Sequence, residues 1–433
     1  MTRLRTVIER FRGNLFFVPA LFLTAAIALA EGAITLDVTL HRAAFQLPVG
    51  LASTVASARS LLGTVASATI AFAGIAFSVS LLMVQLASTQ YSPRVIYGFL
   101  RDPFGKRVMG LVIGTFTFCL LVLLVVHAPA GSGVPVVPQV SVLIAVVLGV
   151  SSIVAVVALI SHGVISMQAG EIVRRITDEA REQIERECAP VAAPPRRLDR
   201  VVPDGPGLIV RAPGDGWVQT VDIDRLLGAV PEGGVVRLET WPGAFVPEET
   251  PICTVWPMPE DVRATARTME RAFVIGRSRT MQQDLTFGIR QLVDIALRAL
   301  SPGVNDPTTA NSAIVHIGAV LRSLLLHDLP SLVLTDGGRR VIRPREFEHR
   351  DYVALGFDEI RRAGAGQPAV AESLLQVLGM LAAALGTAGL RERIEPLRAQ
   401  ARLVVEVAER SDLPNADLDR IHRAGVRAGL SYR

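Results

Sequence analysis

Four stretches of the chain are long and apolar enough to cross a lipid bilayer, and all of them lie within the first 170 residues. A membrane-spanning helix needs about 20 mostly apolar residues. None of the four carries a Lys, Arg or Asp at its centre. The predicted spans are Leu15–Thr35, Leu61–Ala87, Val108–Ala128 and Val140–Ser166. We therefore expect an integral membrane protein in contact with the lipid bilayer, with a four-helix membrane domain at 1–170.

Basic residues are distributed unevenly between the segments that connect these stretches. The tail before the first stretch holds four Arg, the loop at 36–60 holds two, the loop at 88–107 holds four basic residues and the loop at 129–139 holds none. Four more Arg follow the fourth stretch. Because basic loops stay on the cytoplasmic side, the pattern predicts a multi-pass protein of the bacterial inner membrane with both termini in the cytoplasm.

The composition argues against several other classes of protein. The net charge is only +4 and aromatic residues are few, so nucleic acid is not an expected partner. The three cysteines, Cys119, Cys188 and Cys253, are odd in number and far apart, which favours neither a disulfide framework nor a metal site. No cofactor is expected, and an enzyme is less expected than a non-enzymatic protein.

One face of the second span carries small residues at helical spacing. Small side chains let helix backbones approach closely. This small-residue stripe consists of Gly63, Ser67, Ala71, Gly74 and Ser78, and Gln85 continues it. Two interpretations stay open: the stripe packs against a neighbouring span, or it lines a pore in a homo-oligomer.

The part that follows the spans is predicted to be a cytoplasmic α+β region with three sections. Residues 171–204 read as an amphipathic helical stalk and a Pro-rich linker, in which the stalk could bundle with copies of itself. Residues 205–258 form short β-rich runs that are similar to the barrel-sandwich hybrid of lipoyl and biotinyl carrier domains. This stretch has no lysine, so it cannot carry such a prosthetic group.

Residues 259–433 are expected to be mainly helical, with a β-hairpin near 332–342 signalled by Asp336-Gly337. The predicted helices run over about 260–272, 279–300, 307–327, 347–363, 368–387, 389–410 and 414–427.

The densest polar cluster lies between Phe273 and Ala310. In its SPGVNDP segment, Asn305 or Asp306 caps a helix whose first turn contains Pro307. Three interpretations stay open: a tight helix–turn–helix corner, an anion or ligand site at a helix N-terminus, or catalysis or metal binding through Asp284, Asp294, Asn305 and Asp306. The candidate ligand-binding residues are Arg277, Arg279, Arg298, Asn305, Thr308 and Thr309. No catalytic residue and no metal ligand is assigned.

Three motifs together resemble a bacterial family of predicted membrane proteins catalogued as a domain of unknown function. They are QLASTQYSPR after the second span, GRSRTMQQD, and ALSPGVNDPTTA, which is the most specific of the three. The resemblance implies a multi-pass inner-membrane protein and brings no activity with it. The leading hypothesis is an oligomeric pore or transport-related protein with a cytoplasmic gating or sensing domain. The alternative is a membrane-tethered sensor or scaffold that binds an anionic ligand at 277–309. The permeant ion and the ligand are left open.

Overall fold

The computed structural model describes residues 17–42, 54–90, 103–126, 138–166, 168–191, 202–344 and 347–429. The chain divides into two compact units, Met1–Gln168 and Ala169–Arg433, here called the membrane unit and the C-terminal unit. The four Arg of the N-terminal tail, with Arg94 and Arg101 of the second loop, lie outside the described residues. The end of the QLASTQYSPR motif lies outside them too. The orientation therefore stays a prediction.

The described part of the membrane unit contains four long helices, each of which overlaps one of the predicted apolar stretches. They are α1 (Phe17–Arg42), α2 (Val55–Gln90), α3 (Pro103–Val125) and α4 (Gln139–Ser166). Large apolar side chains are exposed along all of them; on α4, for example, Val154 is 62% and Val164 65% exposed. Exposed surface of this kind suits a lipid environment rather than water.

The helices of the membrane unit alternate in direction. Phe22 near the start of α1 meets Gly110 near the start of α3, and Met83 near the end of α2 meets Gly163 near the end of α4. The His162 ring, near the end of α4, lies 4.8 Å from the Phe104 ring at the start of α3. The starts of α1 and α3 therefore lie on the same side as the ends of α2 and α4, as alternate crossings require.

The C-terminal unit begins with α5 (Ala169–Glu187) and contains two main antiparallel-rich sheets and a short two-stranded pairing. The strands are β1 (Ala189–Pro190), β2 (Leu208–Arg211), β3 (Gly216–Val221), β4 (Val235–Leu238), β5 (Phe245–Val246), β6 (Pro251–Trp256), β7 (Phe273–Gly276), β8 (His327–Asp328), β9 (Val333–Asp336) and β10 (Arg339–Ile342). The five-stranded sheet has the order β2-β6-β4-β10-β9, the three-stranded sheet β5-β3-β7, and β1 pairs with β8. Val218, Val236, Ile252 and Met269 are buried in the core around these sheets.

The β region uses strands from beyond the predicted 205–258 module. The hairpin β9–β10 turns through Gly337 and Gly338, both with positive φ, as a two-residue hairpin loop requires. Its strand β10 pairs in parallel with β4, so that Val341 lies opposite Val236. The hairpin is thus an integral part of the sheet rather than an interruption of the helical region.

Helix α9 (Pro307–Leu325) lies at the centre of the helical part of the C-terminal unit, where α5, Leu285–Ala299, His349–Ala363 and Pro368–Thr387 pack against it. Ile314, Ile317 and Leu321 of α9 are fully buried. The helices are α6 (Ile223–Gly228), α7 (Val262–Glu270), α8 (Leu285–Ala299), α9 (Pro307–Leu325), α10 (His349–Ala363), α11 (Pro368–Thr387), α12 (Glu395–Glu409) and α13 (Asn415–Arg427). Helix α8 begins at Leu285 rather than at 279 because Asp284 caps its first turn.

Helix α5 does not stand free, as the stalk interpretation assumed. Ile172, Ile176 and Ile184 are at most 3% exposed, because their face packs against α8 and α9. Gly288 of α8 lies so close to Ala180 of α5 that a side chain there would collide with it. The apolar face predicted for self-association is therefore covered within the C-terminal unit.

By length and composition, five described helices could cross a membrane: the four of the membrane unit and Pro368–Thr387. The fifth, α11, packs against α9, α12 and α13. Its apolar residues are largely internal, and Met380 is the large apolar side chain that it exposes. The count of four spans therefore rests on assigning α11 to the core of the C-terminal unit.

Candidate functional site

The predicted ligand-binding residues fall into two groups at opposite ends of α8. Arg277 and Arg279 precede the helix, whereas Arg298 lies in its last turn. Asn305, Thr308 and Thr309 belong to the corner that follows. With about 1.5 Å of rise per residue, the 15 residues of α8 separate the two groups by about 21 Å. One small ligand could not contact both.

The first group is built around an ion pair. Arg279 donates from Nε (2.8 Å) and Nη2 (2.5 Å) to Oδ2 of Asp284, which is 3% exposed. The other carboxylate oxygen of Asp284 accepts from the Thr286 N–H and hydroxyl, and so caps α8. The guanidinium also lies over the rings of Trp217 and Phe287, at 5.6 and 5.3 Å. The charge of Arg279 is thus compensated within the fold.

The second group forms a closed helix corner. The Asp306 carboxylate accepts from the N–H groups of Thr308 and Thr309, both at 3.1 Å, and from the Thr309 hydroxyl. These hydrogen bonds lower the pKa of Asp306. Asn305 adopts a positive φ of 49° and accepts a hydrogen bond from Gln367. The donors that an anion would use are occupied by Asp306, which favours the helix-corner interpretation.

Asp284 and Asp306 also lie at opposite ends of α8, so the four polar residues weighed for metal binding or catalysis do not converge. Among the described residues, no group of three His, Cys, Asp or Glu side chains could hold a metal ion.

The small-residue stripe of α2 faces away from the other helices of the membrane unit. Nothing lies within 4 Å of a Cβ built on Gly63 or Gly74, and Ser67 and Ser78 are exposed. The neighbouring helices instead contact the face that carries Leu62. The stripe is therefore open to lipid or to another molecule, and the described part of the chain does not show the packing against a neighbouring span that the sequence suggested.

Glycines allow close contacts between helices elsewhere in the membrane unit. Gly110 and Gly114 of α3 form a G-x-x-x-G pair that packs on Phe22 of α1, and Gly149 of α4 packs on Val65. At the other end of α1, the Asp37 carboxylate accepts from the N–H of Val140 (2.8 Å) and Ser141 (3.0 Å), capping α4 across the helix interface.

A cleft of about 1080 Å³ opens in the C-terminal unit. Several separate segments form its walls: the end of α5, the turn after β4, the start of α8, the segment 328–333, the segment around the start of α10, and the segment before α12. The volume is of the size that takes a small organic ligand.

An apolar region of the cleft surrounds a hydroxyl group that has no partner. Thr240 is 3% exposed, and its Oγ1 is buried without a hydrogen bond to any residue that the structure describes. Leu238, Trp241 and Leu285 line the cleft with it. A side chain at Gly243 would collide with Asp284, so the turn at 241–243 lies against the Arg279–Asp284 pair. Since buried hydroxyls are normally hydrogen-bonded, Thr240 is an available polar contact for a ligand.

Charged residues that line the cleft interact around β8. Arg393 donates to Asp328 (2.6 Å) and to the carbonyls of Leu325 and His327 (both 2.8 Å). His349 Nε2 lies 3.1 Å from the same His327 carbonyl oxygen. Burial and, to a lesser extent, Arg393 lower the pKa of His349, so its ring is neutral at pH 7.

Glu187, the last residue of α5, also lines the cleft. Burial raises its pKa, and the nearby Arg343 and Arg186 offset this effect only in part. Burial also raises the pKa of the adjacent Cys188 to about 12, with smaller contributions from the carboxylates of Glu187 and Asp328. Burial is therefore the main influence on both groups, and two arginines lie near the Glu187 carboxylate.

A family profile described as "Predicted membrane protein (DUF2254)" matches residues 12–380. The chain belongs to this family. The match covers all four helices of the membrane unit, both sheets and every cleft segment except the one before α12. The membrane-protein class predicted from the motifs is thus confirmed.

Relatives are found in mycobacteria. The chain is 28% identical to the uncharacterized protein Mb1321c of Mycobacterium bovis over 443 aligned residues, which cover 99% of this chain and 82% of the relative. The uncharacterized protein Rv1290c of Mycobacterium tuberculosis matches with the same identity and coverage. No solved structure matches the chain.

The sequence analysis missed the residues of the cleft. Thr240, Glu187 and His349 come from parts of the chain that are distant in sequence, and no local motif marks them. Gly110 and Gly114, by contrast, carried a recognisable signal in their spacing of four.

Proposed function

We propose that this member of the family is a membrane-anchored receptor whose C-terminal unit binds a small organic ligand in the cleft. In this proposal α1–α4 span the bacterial inner membrane, and α11 belongs to the core of the C-terminal unit. Both termini face the cytoplasm, as the distribution of basic residues predicts. The observation that carries the proposal is the cleft of about 1080 Å³ with the buried, unpartnered hydroxyl of Thr240.

The chain path supports a receptor rather than a simple anchor. Helix α5 begins at Ala169, three residues after α4 ends at Ser166. Its last residue, Glu187, lines the cleft. The last membrane helix and the cleft are therefore linked by a single helix that packs on α8 and α9, which gives ligand binding a direct covalent connection to the membrane.

In this proposal the ligand binds in the cleft and not at residues 277–309, where the sequence suggested an anion site. Arg279 is neutralised by Asp284, and Asp306 occupies the donors of Thr308 and Thr309. At both ends of α8 these groups, Arg279 and the N–H groups of Thr308 and Thr309, thus already have protein partners, whereas Arg277 is exposed.

A thermal-shift screen of the full-length protein in lipid nanodiscs tests the receptor. Compounds of diverse charge and polarity should include some that raise the melting temperature. Thr240→Val, which keeps the shape but removes the hydroxyl, should weaken that shift. Thr268→Val is the matched control, because Thr268 lies on α7 outside the cleft, where its hydroxyl bonds to the Ala264 carbonyl. The receptor is refuted if no compound stabilises the protein, or if the shifts do not change in Thr240→Val.

An oligomeric pore is the second candidate, and the outward orientation of the small-residue stripe favours it. A stripe with open space beside Gly63 and Gly74 could line an axis between copies of the chain. In liposomes, Ser67→Trp and Gly74→Trp should then block ion flux. Ile75→Trp, about 100° further around α2 and also exposed, should leave it unchanged. Absence of flux from folded protein would remove this candidate.

A further inference from the structure

The SPGVNDP corner between α8 and α9 has no part in the proposed receptor, yet its tip is open to the surroundings. Pro302, Gly303, Val304 and Asn305 are all exposed, and 48% of the surface of Val304 is accessible. What lies next to this tip depends on where the corner sits relative to the point at which the chain enters the C-terminal unit.

Two contacts fix the direction of α5 relative to α9. Midway along both helices, the Thr177 hydroxyl lies 2.9 Å from Nδ1 of His316. Directly beyond the ends of both helices, β1 pairs with β8, so that Ala189 lies opposite Asp328. The two helices therefore run side by side in the same direction.

The same contacts place the starts of the two helices at one end of the C-terminal unit. Thr177 lies eight residues after the start of α5 at Ala169, and His316 lies nine residues after the start of α9 at Pro307. The two starts therefore differ in height by only about 1.5 Å, the rise of one residue. Because the SPGVNDP corner immediately precedes α9, it lies beside the first turn of α5.

A second turn lies at this end as well. The side chain of Gln367 donates to the side-chain oxygen of Asn305 at 3.2 Å, so the turn at 364–367 between α10 and α11 is a neighbour of the corner. Arg298 in the last turn of α8 and Arg362 in the last turn of α10 are both exposed. The end of the unit that carries the start of α5 thus presents two turns and two basic side chains.

The chain enters the C-terminal unit at this same end. Helix α4 ends at Ser166 and α5 begins at Ala169. Three residues extend over at most about 11 Å, and the headgroup region on each side of a bilayer is about 5–8 Å thick. When α4 crosses the bilayer, the first turn of α5 and the corner beside it are therefore within reach of lipid headgroups.

We propose that the SPGVNDP corner, together with the turn at 364–367, is a lipid-contacting surface that lies in the headgroup layer of the bilayer. Val304 provides an apolar contact at its tip. Arg298 and Arg362 supply positive charge that suits the headgroup phosphates. This inference goes beyond the receptor, because it rests on α4 crossing the membrane and needs no ligand in the cleft.

An environment-sensitive NBD label on an introduced cysteine tests the contact through quenching by nitroxide lipids. The full-length Val304→Cys protein is labelled and placed in phosphatidylcholine nanodiscs, with and without a lipid that carries a nitroxide on its headgroup. The native cysteines are Cys119, Cys188 and Cys253, and all three are buried. Protein without the introduced cysteine, taken through the same labelling, gives their background.

Phe245→Cys is the matched control, because Phe245 is also an apolar residue that is about half exposed. Its ring lies 5.4 Å from the ring of Trp217. The Arg279 guanidinium lies 5.6 Å from the same ring of Trp217 and pairs with Asp284, the cap at the start of α8. The 15 residues of α8 separate this region from the corner, a distance of about 21 Å along the helix.

The label at 304 should lose about half of its fluorescence to the headgroup nitroxide, and the label at 245 less than about a tenth, because only the first lies in the headgroup layer. Gly303→Cys gives a second position at the tip, since no atom lies within 4 Å of a Cβ built there, and should behave like 304. Tryptophan fluorescence during thermal unfolding verifies that each labelled protein is folded.

Two results would overturn the inference. One is equal quenching at 304 and 245, and the other is folded protein in which neither 303 nor 304 is quenched. A blue-shifted label at 304 that the nitroxide does not reach belongs to the second case, and would assign the tip to a contact between copies of the chain. None of these outcomes depends on a ligand, so the receptor stands or falls separately.

Discussion

Removing the carboxylate of Asp284 should destabilise the C-terminal unit far more than removing an ordinary helix cap. Asp284 has two tasks: one oxygen caps α8 through Thr286, and the other holds Arg279. The pair is poorly exposed, at 3% for Asp284 and 21% for Arg279. Loss of the carboxylate leaves a guanidinium that is largely buried and no longer compensated.

The magnitude follows from these two tasks. Loss of an N-cap costs about 1 kcal/mol. Breaking a buried ion pair from one side costs about 3–5 kcal/mol, and the lower end applies here because Arg279 keeps its contacts with Trp217 and Phe287. Asp284→Ala should therefore cost about 4 kcal/mol. Asp284→Asn, which retains a capping oxygen, should cost about 3 kcal/mol.

Tryptophan fluorescence during thermal unfolding measures this effect selectively. The three tryptophans, Trp217, Trp241 and Trp256, all lie in the C-terminal unit, so the signal reports that unit within the intact membrane protein. At about 2–4 °C per kcal/mol for a domain of this size, Asp284→Asn should lower the melting temperature by roughly 6–12 °C.

Asp306 provides the matched control, because its carboxylate caps α9 through Thr308 and Thr309 and holds no arginine among the described residues. Asp306→Asn should have almost no effect, and Asp306→Ala should cost about 1 kcal/mol. The double variant Arg279→Met/Asp284→Asn should be no less stable than Asp284→Asn, since it removes the orphaned charge. Equal costs at the two caps, or additive costs of the two changes in the double variant, would refute the reasoning.

Three further predictions concern other parts of the chain. Asp37→Ala leaves the N–H groups at the start of α4, including that of Ser141, without their acceptor, and should cost about 1–3 kcal/mol. Gly114→Leu forces a side chain against the backbone of α1, which a Cβ there would meet at 3.2 Å, and should cost about 1–3 kcal/mol. Both are measured by thermal exposure of Cys119, which is buried, in a variant that retains it as the only cysteine. Since the pKa of His349 is lowered in the folded state, the unfolded chain takes up a proton first as the pH falls below about 6.5; the stability of the C-terminal unit should fall in that range, and less so in His349→Gln.

Local signals in the sequence predicted the elements of this fold well. Pro307 after Asp306 marked the start of α9, and the glycines at 337 and 338 marked the hairpin turn. Each of these signals acts within a few residues, because caps and turns are satisfied by neighbouring backbone groups. The predictions from the sequence therefore hold where the deciding interactions lie within a few residues.

Contacts between distant segments were not predictable in the same way. The parallel pairing of β10 with β4 joins residues about a hundred positions apart, and the cleft combines segments from Glu187 to Pro396. The burial of Thr240 depends on how those segments pack together, so the residues next to it in the sequence do not predict it. The packing predicted for the stripe of α2 was not predictable for a related reason. Small residues permit a close approach of two helices, but both α2 and α3 carry them. Helix α1 packs against Gly110 and Gly114 of α3.

The burial of α5 restricts how copies of the chain could associate. A stalk that bundled with its own copies would have to withdraw Ile172, Ile176 and Ile184 from the core formed with α8 and α9. Exposing an isoleucine costs about 1.5–3 kcal/mol, so the three together oppose such a rearrangement by about 5–9 kcal/mol before any new contact forms. An oligomer that keeps the C-terminal unit folded must use another surface, and the open face of α2 with Gly63 and Gly74 is available without that cost. The pore candidate therefore depends on α2, which is why tryptophan substitutions there, rather than in α5, decide it.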